Sequence, residues 1–212
     1  MKYNTVLFDL DGTLTDPKEG ITRSFAYALK QYGIEEDPDN LTKVIGPPLY
    51  DSFIDFYGFT REESEKAVWK YREFFSTKGI FENTVYDGIP GLLKTLKEHG
   101  FKIAVASSKP TVYVKRILEH FGIEQYFDAV VGSELDGSRI EKPDIITEAV
   151  RQLGSEPGRT VMVGDRKYDV IGAGEFGIDS IGVSWGYAFP GELDCASAVA
   201  DTVEELKELL IS

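Results

Sequence analysis

The sequence of 212 residues contains little cysteine and has few basic side chains for its size. Its single cysteine, Cys195, excludes an internal disulfide and cannot build a thiolate metal cage. There are 23 lysines and arginines against 36 acidic residues, so the formal net charge is −13. A field of this sign repels nucleic acids and anionic membranes, and no basic stripe in the sequence offsets it. We therefore expect neither as a partner, and a phosphorylated ligand would need positive charge close to its own site.

Long apolar runs are also missing. No stretch is long enough to cross a bilayer, and strand-like acidic sequence already begins by Thr5, where a secretory leader would lie. Apolar residues make up 42% of the chain and charged residues 28%, a balance typical of globular proteins. We expect a cytoplasmic protein, either a monomer or a homodimer.

The sequence does contain an alternation of strand-like and helical patterns. Short runs rich in valine and isoleucine predict strands, and their near-continuous apolar character is typical of a parallel sheet covered on both faces. Helical spacing of apolar residues separates most of these runs. The pattern predicts an α/β fold, a doubly wound parallel sheet with right-handed crossovers. The predicted strands are Thr5–Asp9, Lys102–Ala106, Ala129–Gly132, Thr160–Gly164 and Ser180–Val183.

One long segment interrupts this alternation. Residues 16–83 show helical periodicity without a convincing strand, and TREE at 60–63 is a capping box that predicts a helix start. The stretch VIGPPLYDSF, 44–53, is interpreted as a non-helical joint because paired prolines do not continue a helix. We predict a small α-helical domain, 16–83, inserted into an α/β core domain made of residues 1–15 and 84–212.

Polar residues follow several predicted strands, at the edge where open parallel sheets bind ligands. Asp9 and Asp11 are two residues apart, so they point to the same side of an extended chain. A close carboxylate pair usually holds a cation or a proton between its members. Each motif alone is weak, because a strand-end Asp or Ser often caps a helix or bonds a loop. The other motif residues are Ser107, Ser108 and Lys109, then Lys142 before a proline, then Asp165 and Asp169.

In this order, FDLDGTLTD, the ASSKP serine, the KP lysine and GDRKYD resemble the four motifs of the haloacid dehalogenase superfamily, in its phosphatase branch. The helical insert resembles that superfamily's first-type cap. Within the insert, GITRSF and VIGPPL resemble the phosphoglycolate-phosphatase-like subgroup, which also contains nucleotide 5′-phosphatases and pyrophosphatases. The resemblance implies the strand order 5-4-1-2-3, which would bring the ends of strands one, two and four together.

The resemblance also implies a role for each motif residue in hydrolysing a small phosphate monoester. Asp9 would be the nucleophile that forms an aspartyl phosphate, and Asp11 the acid and base. Mg²⁺ would bind Asp9, the backbone carbonyl of Asp11, and Asp165, while Asp169 would orient metal-bound water or Lys142. Ser107 would hold a phosphoryl oxygen, and Lys142 would offset negative charge. The expected phosphate or substrate contacts are Gly12, Ser107, Ser108, Lys109 and Lys142, with Arg23, Lys43 and the turn at 46–48 from the cap.

Other functions share part of this pattern. A dehalogenase needs neither a metal nor an acid at the second Asp, so Asp11 and Asp165 count against it. A phosphomutase would share the motifs, and only the cap would decide whether water or a sugar attacks. A phosphoacceptor signalling module would carry its acceptor Asp after the third strand, where this chain has VVGSELD. The intact acid set counts against a catalytically silent binding protein. GAGEFG at 172–177 matches a dinucleotide fingerprint, but a helical turn separates it from the preceding strand.

Overall fold

The computed structural model describes residues 1–136 and 138–212, which form two compact units. One unit consists of Met1–Asp16 and Val85–Ser212, and the other of Pro17–Thr84. None of the helices in these described ranges has both the length and the apolarity that a membrane span requires. In chain order the strands and α-helices are β1 Thr5–Phe8, β2 Thr15–Asp16, α1 Lys18–Lys30, α2 Leu49–Tyr57, α3 Arg61–Phe75, β3 Thr84–Val85, α4 Ile89–Glu98, β4 Lys102–Pro110, α5 Thr111–His120, β5 Ala129–Ser133, α6 Lys142–Leu153, β6 Thr160–Gly164, α7 Lys167–Phe176, β7 Asp179–Val183, β8 Ala198–Ala200 and α8 Val203–Ile211.

The first unit is built on a six-stranded parallel sheet with the order β5-β4-β1-β6-β7-β8. The predicted α/β class is confirmed, and so is the order of the five predicted strands, because β7-β6-β1-β4-β5 is the order 5-4-1-2-3. The additional edge strand, β8, was not among the predicted strands, since its three residues are too few for a recognisable pattern.

Apolar residues on both faces hold this sheet between its helices. All four residues of β1 are buried, as the near-continuous apolar run predicts for a central parallel strand. On one face, Leu7 and Met162 belong to the same hydrophobic cluster as Ile146 of α6. The central strands are therefore fixed, and the loops that follow them start from a rigid scaffold.

The register brings the carboxyl ends of the central strands level with one another. Phe8, the last residue of β1, pairs with Val105 of β4 and with Val163 of β6. β4 is longer than predicted and runs to Pro110, with a shift of its register against β5 between Ser107 and Pro110. The ASSKP motif therefore lies in the final part of the strand itself.

The helical unit has its own aromatic core. The ring of Phe25 in α1 stacks on that of Phe53 in α2, with centroids 4.1 Å apart. The predicted capping box at the start of α3 is confirmed, because the Thr60 hydroxyl accepts from the Glu63 N–H at 3.3 Å and the Glu63 carboxylate accepts from the Thr60 N–H at 2.8 Å. These two bonds satisfy N–H groups that a helix start leaves without an intrahelical partner.

The prediction of a non-helical joint over 44–53 is wrong in its second half. α2 begins at Leu49, directly after the two prolines, and continues to Tyr57. A proline before the first helical turn removes no intrahelical hydrogen bond, so Pro47 and Pro48 precede this helix without interrupting it.

Candidate active site

Three buried carboxylates meet at the carboxyl edge of the sheet. Asp9 continues β1, Asp165 follows β6, and Asp169 lies in the first turn of α7. One oxygen of each lies within 4.8 Å of the others, and the three residues are 6%, 0% and 2% exposed. Carboxylates that are this close and this deeply buried repel one another strongly unless a cation lies among them. An all-oxygen set of this kind fits Mg²⁺, which prefers carboxylate and carbonyl ligands.

Lys142, the first residue of α6, supplies one positive charge to this cluster. Its Nζ lies 2.9 Å from Asp9 Oδ1, 2.7 Å from Asp169 Oδ1 and 3.0 Å from the carbonyl oxygen of Ala106. Burial alone would lower the pKa of the Lys142 ammonium, but the neighbouring carboxylates raise it above its ordinary value. Lys142 therefore stays charged; it donates to Asp9 Oδ1 and to the Ala106 carbonyl, and it forms an ion pair with Asp169. One ammonium does not neutralise three carboxylates.

The buried Asp11 and the half-buried Lys109 form a second ion pair. Lys109 Nζ lies 2.7 Å from both oxygens of Asp11. Burial raises the pKa of the Asp11 carboxyl, and the Lys109 ammonium opposes this shift only in part. A carboxyl with a raised pKa can carry a proton and give it up, as general acid catalysis requires. The sequence predicts Lys109 as a phosphate contact, and in this structure its ammonium binds the Asp11 carboxylate.

The loop after β1 packs directly against Asp165. Gly12 has φ +82°, and a Cβ atom at this position would overlap the Asp165 carboxylate. Only glycine permits both this backbone conformation and this close approach. The Thr13 hydroxyl donates to Asp165 Oδ1 at 3.3 Å. Burial raises the pKa of Asp165, and repulsion from Asp169 and Asp9 adds to the shift.

The two serines lie at the end of β4. Ser107 is buried, and its hydroxyl accepts from the Lys109 N–H at 3.4 Å. The carbonyl of Ser108 accepts from the Ser133 hydroxyl at 2.7 Å. Ser107 directly follows Ala106, whose carbonyl binds Lys142, so the serine lies at the same edge as the carboxylates. Its contact with a phosphoryl oxygen stays a prediction.

The two charged cap candidates lie in the helical unit and have partners there. Arg23 Nη1 lies 3.1 Å from Glu19 Oε1 and 2.6 Å from Glu82 Oε1, so two carboxylates offset its charge. Lys43 Nζ lies over the rings of Phe56 and Tyr57, 5.1 and 5.2 Å from their centroids. Substrate contact by Arg23, Lys43 or the turn at 46–48 stays a prediction.

A further segment reaches the carboxylates from β7, and it was not among the predicted site residues. The backbone N–H of Tyr187 donates to Asp165 Oδ2 at 2.8 Å. The available signal was positional: a predicted parallel strand ends at Val183, and a glycine between aromatic residues, WGY at 185–187, follows at the same edge of the sheet.

Comparison with known proteins agrees with this geometry. A family model described as haloacid dehalogenase-like hydrolase matches residues 6–183. The chain is 45% identical over 194 residues to a 5′-nucleotidase of Pseudomonas aeruginosa, covering 91% of this chain and 88% of that protein. It is 43% identical over 210 residues to the tyrosine-protein kinase PtkA of Mycobacterium tuberculosis, covering 97% and 72% of the two chains.

Among solved structures, the crystal structure of a predicted phosphatase from Clostridium acetobutylicum is similar over 100% of this chain and 99% of that one. The TM-score is 0.96 and the sequence identity 48%. The family match spans most of the chain, and it includes all three carboxylates of the cluster, Asp9, Asp165 and Asp169. The chain therefore belongs to the haloacid dehalogenase-like hydrolase family, as a phosphatase of that family.

Proposed function

We propose that this phosphatase hydrolyses small phosphate monoesters with Mg²⁺, through a phosphorylated Asp9. The observation that carries the proposal is the surroundings of Asp9, which directly follows β1: Lys142 Nζ lies 2.9 Å from its Oδ1, and carboxylate oxygens of Asp9 and Asp165 lie within 4.8 Å of each other. A nucleophilic carboxylate, a fixed cation and a site for a second cation are what phosphoryl transfer to a side chain requires.

In the first step, a carboxylate oxygen of Asp9 attacks phosphorus, and the bond from phosphorus to the leaving alcohol oxygen breaks. Asp11 gives its proton to the departing alkoxide, for which its raised pKa is suited. Lys142 holds Asp9 in place through the 2.9 Å contact with Oδ1. Ser107, at the same edge of the sheet, would bind a phosphoryl oxygen.

In the second step, water attacks the phosphorus of the Asp9 phosphate. Asp11 takes a proton from that water, the bond between phosphorus and the Asp9 oxygen breaks, and inorganic phosphate leaves. The step returns Asp9 as a carboxylate and Asp11 as the acid, so the site is ready for another substrate. Asp169 keeps Lys142 charged and oriented throughout, through their 2.7 Å ion pair.

The metal would be held by the carboxylates of Asp9 and Asp165 and by the backbone carbonyl of Asp11. When bound, Mg²⁺ supplies positive charge for the phosphoryl oxygens. Three carboxylates and one lysine leave an excess of negative charge, which a divalent cation would balance.

For the substrate, the 5′-nucleotidase relative supports a nucleoside 5′-monophosphate. The cap motifs GITRSF and VIGPPL support phosphoglycolate as the second candidate. Both are small anions, and their phosphoryl groups would be held by local positive charge against a net charge of −13. We further propose a cytoplasmic protein that acts as a monomer or a homodimer.

The substitution Asp9→Asn tests the proposal, since it removes the attacking charge with little change of shape. We expect turnover of an aryl phosphate to fall by at least ~10³-fold while the circular dichroism spectrum is unchanged. The matched control is Asp179→Asn at the first residue of β7, whose carboxylate accepts from Tyr3 and Ser197. The control should retain activity. Near-wild-type turnover by Asp9→Asn would require a different nucleophile.

The same assay distinguishes water from other phosphoryl acceptors. With phosphorus-labelled substrate, hydrolysis releases the label as inorganic phosphate. Because a 43%-identical relative is named a tyrosine kinase, the protein is also incubated with labelled ATP and analysed for phosphotyrosine. Label that stays on tyrosine, with no release of phosphate from monoesters, would overturn the hydrolase proposal.

A further inference from the structure

The segment Trp185–Gly186–Tyr187, which follows β7, joins the loops that follow β1 and β6. The indole Nε1 of Trp185 donates to the backbone carbonyl of Thr13 at 3.2 Å. The Tyr187 N–H donates to Asp165 Oδ2 at 2.8 Å, and the Tyr187 hydroxyl donates to the carboxylate of Asp16. Trp185 and Tyr187 thus bind the loop that carries Asp11 and the loop that carries Asp165.

Gly186 allows this segment to lie directly on the site. A Cβ atom there would overlap both the side chain of Asp165 and the carbonyl oxygen of Gly12. Asp165 is therefore enclosed between two glycines, Gly12 from the loop after β1 and Gly186 from the loop after β7. A larger residue at either position would displace the carboxylate.

The Tyr187 hydroxyl is a suitable anchor for the segment. A phenol hydroxyl can donate and a carboxylate oxygen accepts, so the contact between Tyr187 and Asp16 joins a matched donor and acceptor. On the other side, the ring of Tyr86 meets the indole of Trp185 edge-on, with centroids 6.4 Å apart. The Tyr86 N–H donates to the carbonyl of Leu14 at 3.1 Å. The segment is thus held at both of its ends.

Asp165 depends on this segment more than the other two carboxylates do. Lys142 lies within 3 Å of oxygens of Asp9 and Asp169, which attracts those two into place. Asp165 is instead held by neutral donors, the Thr13 hydroxyl and the Tyr187 amide. Carboxylate oxygens of Asp9, Asp165 and Asp169 lie within 4.8 Å of one another, and like charges at this range repel. The position of Asp165 therefore depends on how firmly these neutral donors are held.

We infer that Tyr187 is a positioning residue for phosphoryl transfer: its hydroxyl, bound to Asp16, anchors the segment whose amide fixes Asp165. The inference rests on the proposed function, because fixing Asp165 serves catalysis only if this carboxylate binds the metal. A carboxylate oxygen has two lone pairs, so Oδ2 can accept the Tyr187 amide and still face a cation.

The test is Tyr187→Phe, which removes the hydroxyl and keeps the ring. Partners that orient a metal ligand typically contribute 10–100-fold to affinity or activity, so we expect a roughly 10-fold weaker dissociation constant for Mg²⁺ by calorimetry. At saturating Mg²⁺, kcat for an aryl phosphate should fall while KM changes less than about twofold, because the phosphoryl contacts remain.

The matched control is Tyr3→Phe. It removes a tyrosine hydroxyl that donates to a carboxylate, Asp179, at 2.8 Å, at the opposite end of the same strand β7. We expect its Mg²⁺ affinity and kcat to equal those of the wild type. Loss of stability in both variants, with Mg²⁺ affinity unchanged in both, would mean that the Tyr187 hydroxyl serves stability alone and would overturn the inference.

A double-mutant cycle with Asp16 tests the anchor itself. Asp16→Ala removes the acceptor and should match the Mg²⁺ affinity of Tyr187→Phe, and the double variant should show no further loss. Asp16→Asn keeps an acceptor oxygen and should recover most of the affinity. Additive losses would overturn the inference. A wild-type protein that shows no Mg²⁺ binding and no hydrolysis would instead overturn the proposed function.

Discussion

At the scale of single residues, Asp11 is under two opposing influences. Burial raises the pKa of its carboxyl group, while the Lys109 ammonium, 2.7 Å from both of its oxygens, lowers it. The net shift is upward, which suits the acid and base role that we propose for Asp11. In the proposed mechanism the two chemical steps need this side chain to different degrees, because only a strongly basic leaving group requires a proton.

We predict that Asp11→Asn separates the two steps. An alkyl phosphate expels a strongly basic alkoxide that must be protonated, so the variant should be nearly inactive on it, with a loss of ~10²–10⁴-fold. An aryl phosphate expels a phenoxide that leaves unaided, so rapid quench should show a burst of phenol close to one equivalent. Slow turnover should follow, because the phosphorylated Asp9 accumulates without a base for water.

The alkyl and aryl esters serve as controls for each other within one variant. If the aryl phosphate carries a phosphorus label, labelled protein recovered during the burst identifies the covalent intermediate directly. Equal slowing of both esters, with neither a burst nor labelled protein, would assign Asp11 to maintaining the site rather than to proton transfer.

The sequence predicts that Asp9, Lys142 and Asp165 lie close together, because parallel strands end at the same edge of a sheet. The structure does place these three residues together. The sequence could not predict that Lys109 would bind Asp11, since a lysine side chain has four rotatable bonds and its direction depends on packing. The position of WGY after a predicted strand was an available signal, but it could not single out Tyr187. Tyr187 contacts Asp165 through its backbone N–H, a group that every residue other than proline shares.

At the scale of secondary-structure elements, those with a clear local sequence pattern were predictable, and those that depend on tertiary contacts were not. β1 was predictable because a central strand is buried on both faces and so has an apolar run. β8 is a short edge strand with one exposed residue among three, and α2 starts after two prolines that obscure its pattern. The end of β4 depends on its register against β5, which is a tertiary property.

For α3, we predict that Thr60→Ala lowers the free energy of unfolding of the helical unit by about 1 kcal/mol. The substitution removes the hydroxyl that accepts from the Glu63 N–H, and it leaves that donor without its partner at the helix start. Urea denaturation followed by circular dichroism measures the change. Thr60→Ser keeps the acceptor and should cost less than half as much. An equal cost for both would exclude the capping box as the cause.

At the start of α7, a partly buried ion pair predicts a pH-dependent stability. Arg166 binds Glu192 in a bidentate manner, with N–O distances of 2.7 and 3.2 Å. Burial would raise the pKa of Glu192, but the hydrogen bond and charge of Arg166 outweigh it and hold the pKa below its usual value. A depressed folded pKa stabilises the protein above the unfolded value of about 4.3, and this contribution disappears as pH falls through the folded pKa.

We therefore expect Glu192→Gln to lower the free energy of unfolding by about 1–3 kcal/mol at pH 7. The deficit should stay constant down to about pH 5 and shrink below that, because the wild-type carboxylate itself becomes protonated. Thermal unfolding of both proteins across this range measures it. Glu65→Gln, in an exposed pair with Arg61, should cost less than ~0.5 kcal/mol at every pH. A Glu192→Gln deficit that does not vary with pH would contradict this assignment.

At the scale of the whole molecule, both the excess of negative charge and the site favour cation binding. A net charge of −13 attracts cations to the protein. A cation bound among Asp9, Asp165 and Asp169 would relieve the repulsion between these three carboxylates. Without a cation that repulsion destabilises the folded state, since the unfolded chain separates the same three groups. Mg²⁺ should therefore be linked to folding as well as to activity.

We predict that Asp165→Asn changes the sign of its effect on stability when Mg²⁺ is added. After exhaustive chelation, the variant should unfold at a higher temperature than the wild type, because one of three repelling carboxylates has been neutralised. With Mg²⁺ at about 100 times its dissociation constant, the wild type should gain about 2.7 kcal/mol, which the variant lacks, and the order should reverse. Activity should disappear with chelation in the wild type and stay absent in the variant.

Asp179→Asn, remote from the cluster, should shift the unfolding temperature equally in both conditions. If Asp165→Asn behaves in the same way as this control, the cluster is not a Mg²⁺ site that is coupled to folding.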